Sequence, residues 1–261
     1  MTTRPTRLVL LVGLAAAMGL PFLSLLLSSL ATGWFYPALL PAQWSSDAWQ
    51  QLGRGPLGAA LATSLLLGTA TALLATLLAL PIGRLVARGE GRTRGLLTAA
   101  AFLTVAAPPV AIGTGLHLLV LRAGWGGSAV GVLLGHLVPA TGYLALYFAA
   151  VFDGVDAELE ATARTLGATP LQVARGLLLP LLRRPVAEAL ALGFLISWAQ
   201  VPLTLILGGG AVRTLALEVT AYAQSGQDGL AAAAGLLLTL PAIAAFWSIR
   251  RFAGVTRVVA A

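Results

Sequence analysis

The sequence predicts an all-helical integral membrane protein with six transmembrane helices. Of its 261 residues, 58% are hydrophobic and only 10% are charged, whereas a soluble domain has about a quarter of its residues charged. The apolar residues form six long runs without charge, and about 20 such residues suffice to cross a bilayer as a helix. The segments between the runs are too short for a soluble domain, so we expect one transmembrane domain covering residues 1–261.

The predicted spans cover, in chain order, residues of about 8–30, 57–82, 96–121, 129–151, 188–208 and 230–249. The first run is longer than the apolar core of a signal peptide, which has roughly 7–15 residues. A retained first span is therefore favoured over a cleaved signal peptide, which stays the alternative.

Proline and glycine predict irregular helices within these spans. Broken or kinked helices are tolerated in a membrane where neighbouring groups satisfy the freed backbone. Glycine recurs every four residues at the start of the fourth span, in a pattern that allows close packing of helices. The prolines are Pro81, Pro108, Pro109, Pro139, Pro202 and Pro241, and the glycines are Gly127, Gly131 and Gly135.

Arginine predicts the orientation of the chain, which contains no lysine. Loops on the cytoplasmic side of a membrane are enriched in basic residues. If the N-terminus is cytoplasmic, all of the 16 basic residues except Arg54, Arg122 and Arg213 fall on the inner side. We therefore expect both termini and residues 152–185 to lie in the cytoplasm. Topology also accounts for the net charge of +7, so no nucleic acid is expected as a partner.

Residues 152–185 differ from the rest of the chain because they are polar and charged for about the length of two helices. Asp156 is a favourable N-cap, and Glu158 and Glu160 follow where negative charge complements the helix dipole. Gly167 is the residue type that most easily ends a helix in the left-handed conformation. These signals predict a short helix that stops at the glycine.

A second helix is predicted directly after this break. The sequence Thr169-Pro170-Leu171-Gln172 fits a capping box with proline at the first helical position. We expect this helix to end where Pro180 and Pro185 return the chain to the membrane. A water-facing pair of helices of this kind is suited to contact another protein, and an ordinary helical loop is the alternative.

This loop carries a resemblance to a known family. The string Glu160-Ala-Thr-Ala-Arg-Thr-Leu-Gly167-Ala-Thr-Pro170, followed by Leu179-Pro180-Leu-Leu-Arg-Arg-Pro185, resembles the "EAA" loop of the permeases of type I binding-protein-dependent ABC importers. The acid, Glu160, lies one position earlier here than in the family pattern. In that family the loop docks on a cytoplasmic ATPase. The implied coupling residues are Glu160, Ala161, Thr162, Ala163, Arg164, Leu166, Gly167 and Ala168.

The resemblance implies a fold, partners and a location. The fold is that of a type I ABC importer permease in the bacterial cytoplasmic (inner) membrane. The partners are a cytoplasmic ABC ATPase dimer, a second permease subunit that is identical or related, a periplasmic substrate-binding protein and membrane lipid. The pattern Ser197-Trp-Ala-Gln200, followed by Gly208-Gly-Gly and Arg213-Thr-Leu, is similar to permeases of the thiamine, ferric-iron, polyamine and sulfate group. This implies thiamine, ferric iron or a polyamine as substrate.

The sequence lacks the groups that catalysis would require. A phosphate-binding P-loop needs a lysine, so we expect ATP to be used by the partner ATPase, with no cofactor or metal bound by this chain. There is no cysteine, and no metal-binding histidine pair or nucleophile elbow is present, so we expect no enzyme activity. The alternative function is an ion-coupled secondary transporter, which needs ionisable groups within the membrane. Spans one to four offer only His117 and His136 for that purpose.

Three polar residues in the fifth span are candidates for the substrate pathway. Ser197, Gln200 and Thr204 are spaced so that they share one face of a continuous helix. In the family this span commonly lines the path between two permease subunits, which the resemblance implies here. The alternative is a polar face buried against a neighbouring helix.

Overall fold

The structure is a computed structural model that describes residues 4–34 and 37–253, and most of these residues are helical. Twelve α-helices occur in this part of the chain: α1 (Arg4–Ser29), α2 (Asp47–Arg54), α3 (Leu57–Arg88), α4 (Gly91–Ala106), α5 (Pro109–Arg122), α6 (Ala129–Asp153), α7 (Ala157–Thr165), α8 (Pro170–Val173), α9 (Leu179–Trp198), α10 (Pro202–Gly208), α11 (Leu215–Gln224) and α12 (Asp228–Ala253). A π-helical stretch, Ala174–Leu178, joins α8 to α9, and two short strands, β1 (Ala31–Thr32) and β2 (Gln43–Trp44), pair antiparallel.

The six predicted spans are all helical, and the predicted fold class is confirmed. Judged by length and composition, four helices are able to cross a membrane without interruption: Leu8–Ser29, Leu57–Arg88, Ala129–Asp153 and Asp228–Ala245. The third and fifth predicted spans are bent pairs of helices. The number rises to six if each bent pair counts as one span.

The third span bends by 101° between α4 and α5. Ala107 and Pro108 each precede a proline and both have extended backbone angles, with ψ of 132° and 136°. A residue before proline is driven out of the helical region by contact with the proline ring. Two such residues in succession end one helix and start the next in a new direction.

The fifth span bends by 63° between α9 and α10. Pro202 opens α10 and cannot donate a backbone hydrogen bond to the preceding turn. By contrast, Pro81, Pro139 and Pro241 lie inside continuous helices. The expectation of broken helices is therefore confirmed at two of the proline sites only.

The described chain divides into two compact units. The first lies within Met1–Ala62 and Thr214–Leu240. In this unit the Ser45 backbone N–H donates to the carbonyl of Leu30 at 2.8 Å, and the Trp49 indole N–H donates to the Ser29 hydroxyl at 3.3 Å. These bonds fix the short hairpin and α2 to the end of α1.

The second unit lies within Thr63–Arg213 and Pro241–Ala261, and α6 runs through its centre. Leu144, Phe148 and Phe152 on α6 are fully buried. They pack in one cluster with small residues of α3 and α9, including Ala79 and Ala189. Small side chains on α3 and α9 let these two helices approach α6 closely. Close packing of this kind is one of the interactions that hold helices together in a membrane.

Glycine residues mark the points of closest approach to α6. The predicted glycine pattern places Gly135 against Leu207 of α10, whereas Gly127 lies before α6 in a left-handed turn with φ of +69°. Gly142 faces α4, and a Cβ atom there would contact the Thr104 hydroxyl and the Ala101 carbonyl. The α4–α6 crossing thus requires a residue without a side chain at position 142.

We predict that Gly142→Ala lowers the thermal stability of the protein. The added methyl group would force α4 and α6 apart, and overpacking of this kind costs about 1–3 kcal/mol. Thermal unfolding of the detergent-purified protein measures the effect. Gly115→Ala is the matched control because position 115 is also helical and has no atom within 4 Å of a new Cβ. An equal melting temperature for both variants would contradict this account of the crossing.

Candidate functional site

The predicted coupling loop, residues 152–185, has the local structure that its sequence predicts at its start. The Asp156 side chain caps α7 by accepting from the Glu158 N–H at 2.8 Å. Gly167 follows the helix with φ of +87°, in the left-handed region. Thr169 and Gln172 then form the reciprocal capping box at the start of α8. The predicted helix, break and second helix are confirmed.

The end of the loop differs from the prediction. Pro180 and Pro185 lie inside α9 and do not end a helix. The helical chain continues from Pro170 to Trp198, so the fifth span has no separate start near residue 188. Proline at position 180 has no N–H for the carbonyl one turn earlier, and the stretch before it widens to a π-helix. The loop is thereby continuous with the fifth span.

The eight predicted coupling residues form α7 and the turn after it, and they divide by burial. Ala163 and Ala168 are partly buried and pack against the cluster around Phe152. Leu166 is 83% exposed, although leucine is usually buried. The remaining exposed members are Ala161, Thr162, Arg164 and Gly167. The short helix therefore has an inner face of small residues and an outer face that no other part of the described chain covers.

Glu160 is the exception among them because it is charged and only 7% exposed. Its Oε2 atom lies 2.5 Å from the guanidinium of Arg84 in α3 and 4.0 Å from that of Arg164. The sequence does not predict this contact, because Arg84 indicates only the membrane topology of the chain. An acid and a base that lie 76 positions apart in the chain leave no periodic pattern in the sequence that would predict their contact.

Two further arginines bind the same region. Arg88 donates to the carbonyl of Val155 at 2.9 Å, and Arg94 pairs with Asp153 at 2.9 Å. Together with Arg84, they contact the end of α6, the linker after it and α7. The C-terminal end of α3 and the start of α4 thus form one surface with the predicted coupling loop.

A buried polar cluster spans the break in the fifth span. His136 in α6 is 1% exposed, and its ring nitrogens lie 2.8 Å from the Ser197 hydroxyl and 3.0 Å from the Thr204 hydroxyl. Ser197 lies in the last turn of α9 and Thr204 belongs to α10. The imidazole therefore bridges the two helices on either side of the bend.

The hydrogen bonds of this cluster form a consistent chain. The Thr204 hydroxyl donates to the carbonyl of Gln200 at 2.8 Å, so towards the imidazole it is an acceptor and Nε2 of His136 carries the proton. Nδ1 then accepts from the Ser197 hydroxyl, whose oxygen accepts from Thr71 of α3 at 3.3 Å. A neutral imidazole satisfies every member of the cluster, which ties α3, α6, α9 and α10 together.

This arrangement corrects the sequence reading of the three candidate pathway residues. They do not share one face of a continuous helix, because the helix ends at Trp198 and resumes at Pro202. Ser197 and Thr204 are buried and hydrogen-bonded to His136, and a lining role in the substrate pathway stays a prediction. Gln200 lies in the break and is partly exposed.

Glu188, a charged residue in α9, is also paired. Glu188 accepts from the Tyr147 hydroxyl at 2.5 Å and from Arg184 at 2.9 Å. Within the described residues, no group of three or more His, Cys, Asp or Glu side chains is placed to hold a metal ion. The Tyr147–Glu188 hydrogen bond joins α6 to α9.

Comparison with known proteins adds the relationships of the chain. The sequence profile of a family described as "Binding-protein-dependent transport system inner membrane component" matches residues 79–257. The chain is 32% identical over 143 residues to the inner membrane ABC transporter permease protein YnjC of Escherichia coli, covering 54% of this chain and 28% of that protein. It is 30% identical over 178 residues to a probable molybdenum ABC transporter permease protein of Haloferax volcanii, covering 65% and 66%.

Solved structures share the fold. A bacterial ABC transporter involved in import of the acidic polysaccharide alginate has a chain that superposes with a TM-score of 0.70 at 17% identity, covering 97% of this chain and 99% of that one. A chain of the MetNI methionine ABC transporter, in an inward-facing conformation, superposes with a TM-score of 0.54 at 17% identity, covering 75% and 97%. At these identities the likeness concerns the fold alone.

We predict that His136→Ala destabilises the protein. The change leaves the Ser197 and Thr204 hydroxyls without their partner, and an unsatisfied buried group costs about 1–3 kcal/mol. Thermal unfolding in detergent measures the loss. His117→Ala is the control, because Nδ1 of His117 has no hydrogen-bond partner in the part of the chain that the structure describes. The bridging role would be refuted by a His136→Ala melting temperature equal to that of the control.

Proposed function

Because the chain belongs to the family of binding-protein-dependent transport system inner membrane components, we propose that it is the transmembrane permease subunit of an ATP-driven importer. The observation that carries the proposal is α7, a short helix that follows the long helix α6 and has an exposed outer face. The family is one of transport proteins, so the chain is not an enzyme. On this proposal the chain forms half of a substrate pathway and performs no covalent chemistry.

The proposed partner at the coupling loop is a cytoplasmic ABC ATPase dimer. The outer face of α7 and its turn presents Leu166 and Thr162 to solvent, and an exposed leucine on a rigid helix suits insertion into an apolar groove. ATP would be bound by the ATPase, and no cofactor is proposed for this chain, which lacks the lysine of a P-loop. The coupling residues proposed from the sequence are retained, with Glu160 excepted from direct contact.

The proposed mechanism is a rigid-body movement driven by the ATPase. When the ATPase dimer closes on ATP, it pushes α7. Because Pro170–Trp198 is helical throughout, displacement of the loop tilts the inner part of the fifth span with it. The fourth span moves too, since α6 ends only a few residues before α7.

The remaining partners follow from the need to enclose a path. One chain cannot surround a substrate, so we propose pairing with a second permease subunit, either identical or related, within lipid. Gln200, in the break of the fifth span, is the side chain proposed to face the path, and Ser197 and Thr204 support that break from behind. A periplasmic binding protein would deliver the substrate on the outer side.

The proposed substrate is a small polar solute. The sequence pattern around Ser197 and Gly208 favours thiamine, ferric iron or a polyamine. The relatives carry other names, among them a trehalose transport permease of Mycobacterium tuberculosis, 28% identical over 211 residues, and a putative 2-aminoethylphosphonate permease of Salmonella typhimurium, 26% identical over 227 residues. The binding protein, rather than this chain, is proposed to choose among such solutes.

We predict that the full-length chain, purified by affinity from membranes of its own host, brings with it a protein that hydrolyses ATP. Gly167→Val should lower that hydrolysis about tenfold while the chain still inserts. No atom lies within 4 Å of a Cβ at this position, so the effect comes from the left-handed backbone, which costs a residue with a side chain about 1–2 kcal/mol.

Gly167→Asn is the matched control, because asparagine tolerates the left-handed conformation better than valine. It should retain most of the ATP hydrolysis. The proposal fails if no ATPase accompanies the chain, or if the chain alone, in vesicles with an ion gradient and no ATP, takes up a solute.

We further predict the orientation of the chain in the bacterial inner membrane, with both termini in the cytoplasm; residues 1–3 and 254–261 lie outside the described residues. The chain contains no cysteine, so single cysteines can be labelled without background. Leu40→Cys should react with a membrane-impermeant maleimide in spheroplasts, and Ala161→Cys only after the membrane is opened. Both positions are exposed. The opposite pattern would reverse the proposed topology.

A further inference from the structure

We propose that Glu160 and Arg84 form a strut that joins the coupling helix α7 to the second span. Force applied to α7 then passes into α3 directly, without travelling through α6. The inference deepens the proposed function and rests on it for the source of the force. It concerns a positioning pair, and neither residue is proposed to touch the ATPase or the substrate.

The burial of Glu160 is the first step. Its neighbours Leu159 and Ala161 are exposed, whereas Glu160 is only 7% exposed on a short helix at the water-facing end of the bundle. A buried carboxylate is unfavourable unless a positive group compensates its charge. The buried position of the Glu160 carboxylate therefore depends on a positively charged partner.

The partner comes from a different span. The guanidinium of Arg84 lies 2.5 Å from Oε2 of Glu160. Arg84 stands near the inner end of α3, a continuous helix of 32 residues. Residues 84 and 160 are 76 positions apart in the chain. The pair is thus a direct link between the coupling helix and the C-terminal end of α3, the helix of the second span.

Neighbouring charges cannot replace this link. Arg164 lies 4.0 Å from the same oxygen, but it belongs to α7 itself and transmits nothing to α3. Arg94 and Asp153 pair at 2.9 Å with side chains 48% and 45% exposed, and exposed pairs of this kind contribute little. Arg88 holds the linker at Val155, before α7 begins.

The second carboxylate oxygen strengthens the argument. Oε1 of Glu160 is buried and has no hydrogen-bond partner among the described residues. Compensation of the charge therefore falls mainly on Arg84. Loss of the arginine would leave an unpaired buried charge, so the two residues should act as one unit.

The consequence concerns which spans move together. The chain itself attaches α7 to α6 on one side and to α8 and α9 on the other. The strut adds a third attachment, to α3. A push on α7 then moves the second, fourth and fifth spans as one body, because tightly packed helices shift as rigid units.

Spin-label distance measurement tests the strut without an ATPase. Labels at Leu77→Cys in α3 and Thr165→Cys in α7, both exposed positions, report the distance between the two helices in the full-length chain in lipid nanodiscs. Dilution with unlabelled chain restricts the signal to distances within one molecule. We expect one narrow distance distribution in the parent protein and its loss in both Glu160→Gln and Arg84→Gln. Arg94→Gln, the matched control, should keep the narrow distribution.

The purified complex with the ATPase gives the second readout. Each single variant should lower ATP hydrolysis roughly tenfold, and the double variant by the same factor, since both changes remove one interaction. The amount of copurifying ATPase should stay unchanged, which a general loss of structure would not allow. A narrow distance distribution in Glu160→Gln would overturn the strut, and so would loss of ATPase binding with that distribution intact, which would make Glu160 a contact for the ATPase. If no ATPase accompanies even the parent chain, the proposed function fails while the distances still decide the strut.

Discussion

The hydrogen bonds of one buried histidine hold the second unit together where its helices are broken. A bilayer offers no water to a polar group, so each must find a partner inside the protein. The bend in the fifth span brings two hydroxyls, from Ser197 and Thr204, to opposite sides of the gap. His136 has one donor and one acceptor when neutral, and it serves both hydroxyls at 2.8 and 3.0 Å. The break is therefore compatible with the membrane because a side chain on the fourth span bridges it.

The same constraint acts differently around α7, where most side chains are exposed. Charged groups there need no partner inside the protein, and Arg94 and Asp153 remain largely exposed although they touch. Glu160 is buried in the same region, and its charge is met by an arginine from another helix. The contrast separates a pair that orders the structure from one that solvent could replace. A positioning role is therefore proposed for Glu160, which is buried, and none for Asp153, which is exposed.

Much of the fold could be predicted from the sequence. There is a physical reason why the rest could not. Uncharged runs identify the six helical segments because span length is set by the bilayer, and local caps such as Asp156 and Gly167 depend only on neighbours in the chain. Contacts between distant residues leave no such trace. Nothing periodic relates His136 to Ser197, or Arg84 to Glu160. Proline gave a mixed signal, since Pro202 begins a new helix whereas Pro139 is accommodated inside α6, and packing around each proline decides between these outcomes.

The positions of the two contacts relative to α9 give them complementary effects. The helical stretch Pro170–Trp198 begins next to α7 and ends at the break, so it acts as a lever between them. Just before this stretch begins, the Glu160–Arg84 pair ties α7 to α3, and at its C-terminal end Ser197 is tied through His136 to α6 and α10. The end of the lever at Ser197 therefore cannot move freely against α6 and α10. On the proposed function, displacement of α7 would carry these neighbouring helices with it, as a permease driven from its cytoplasmic side requires.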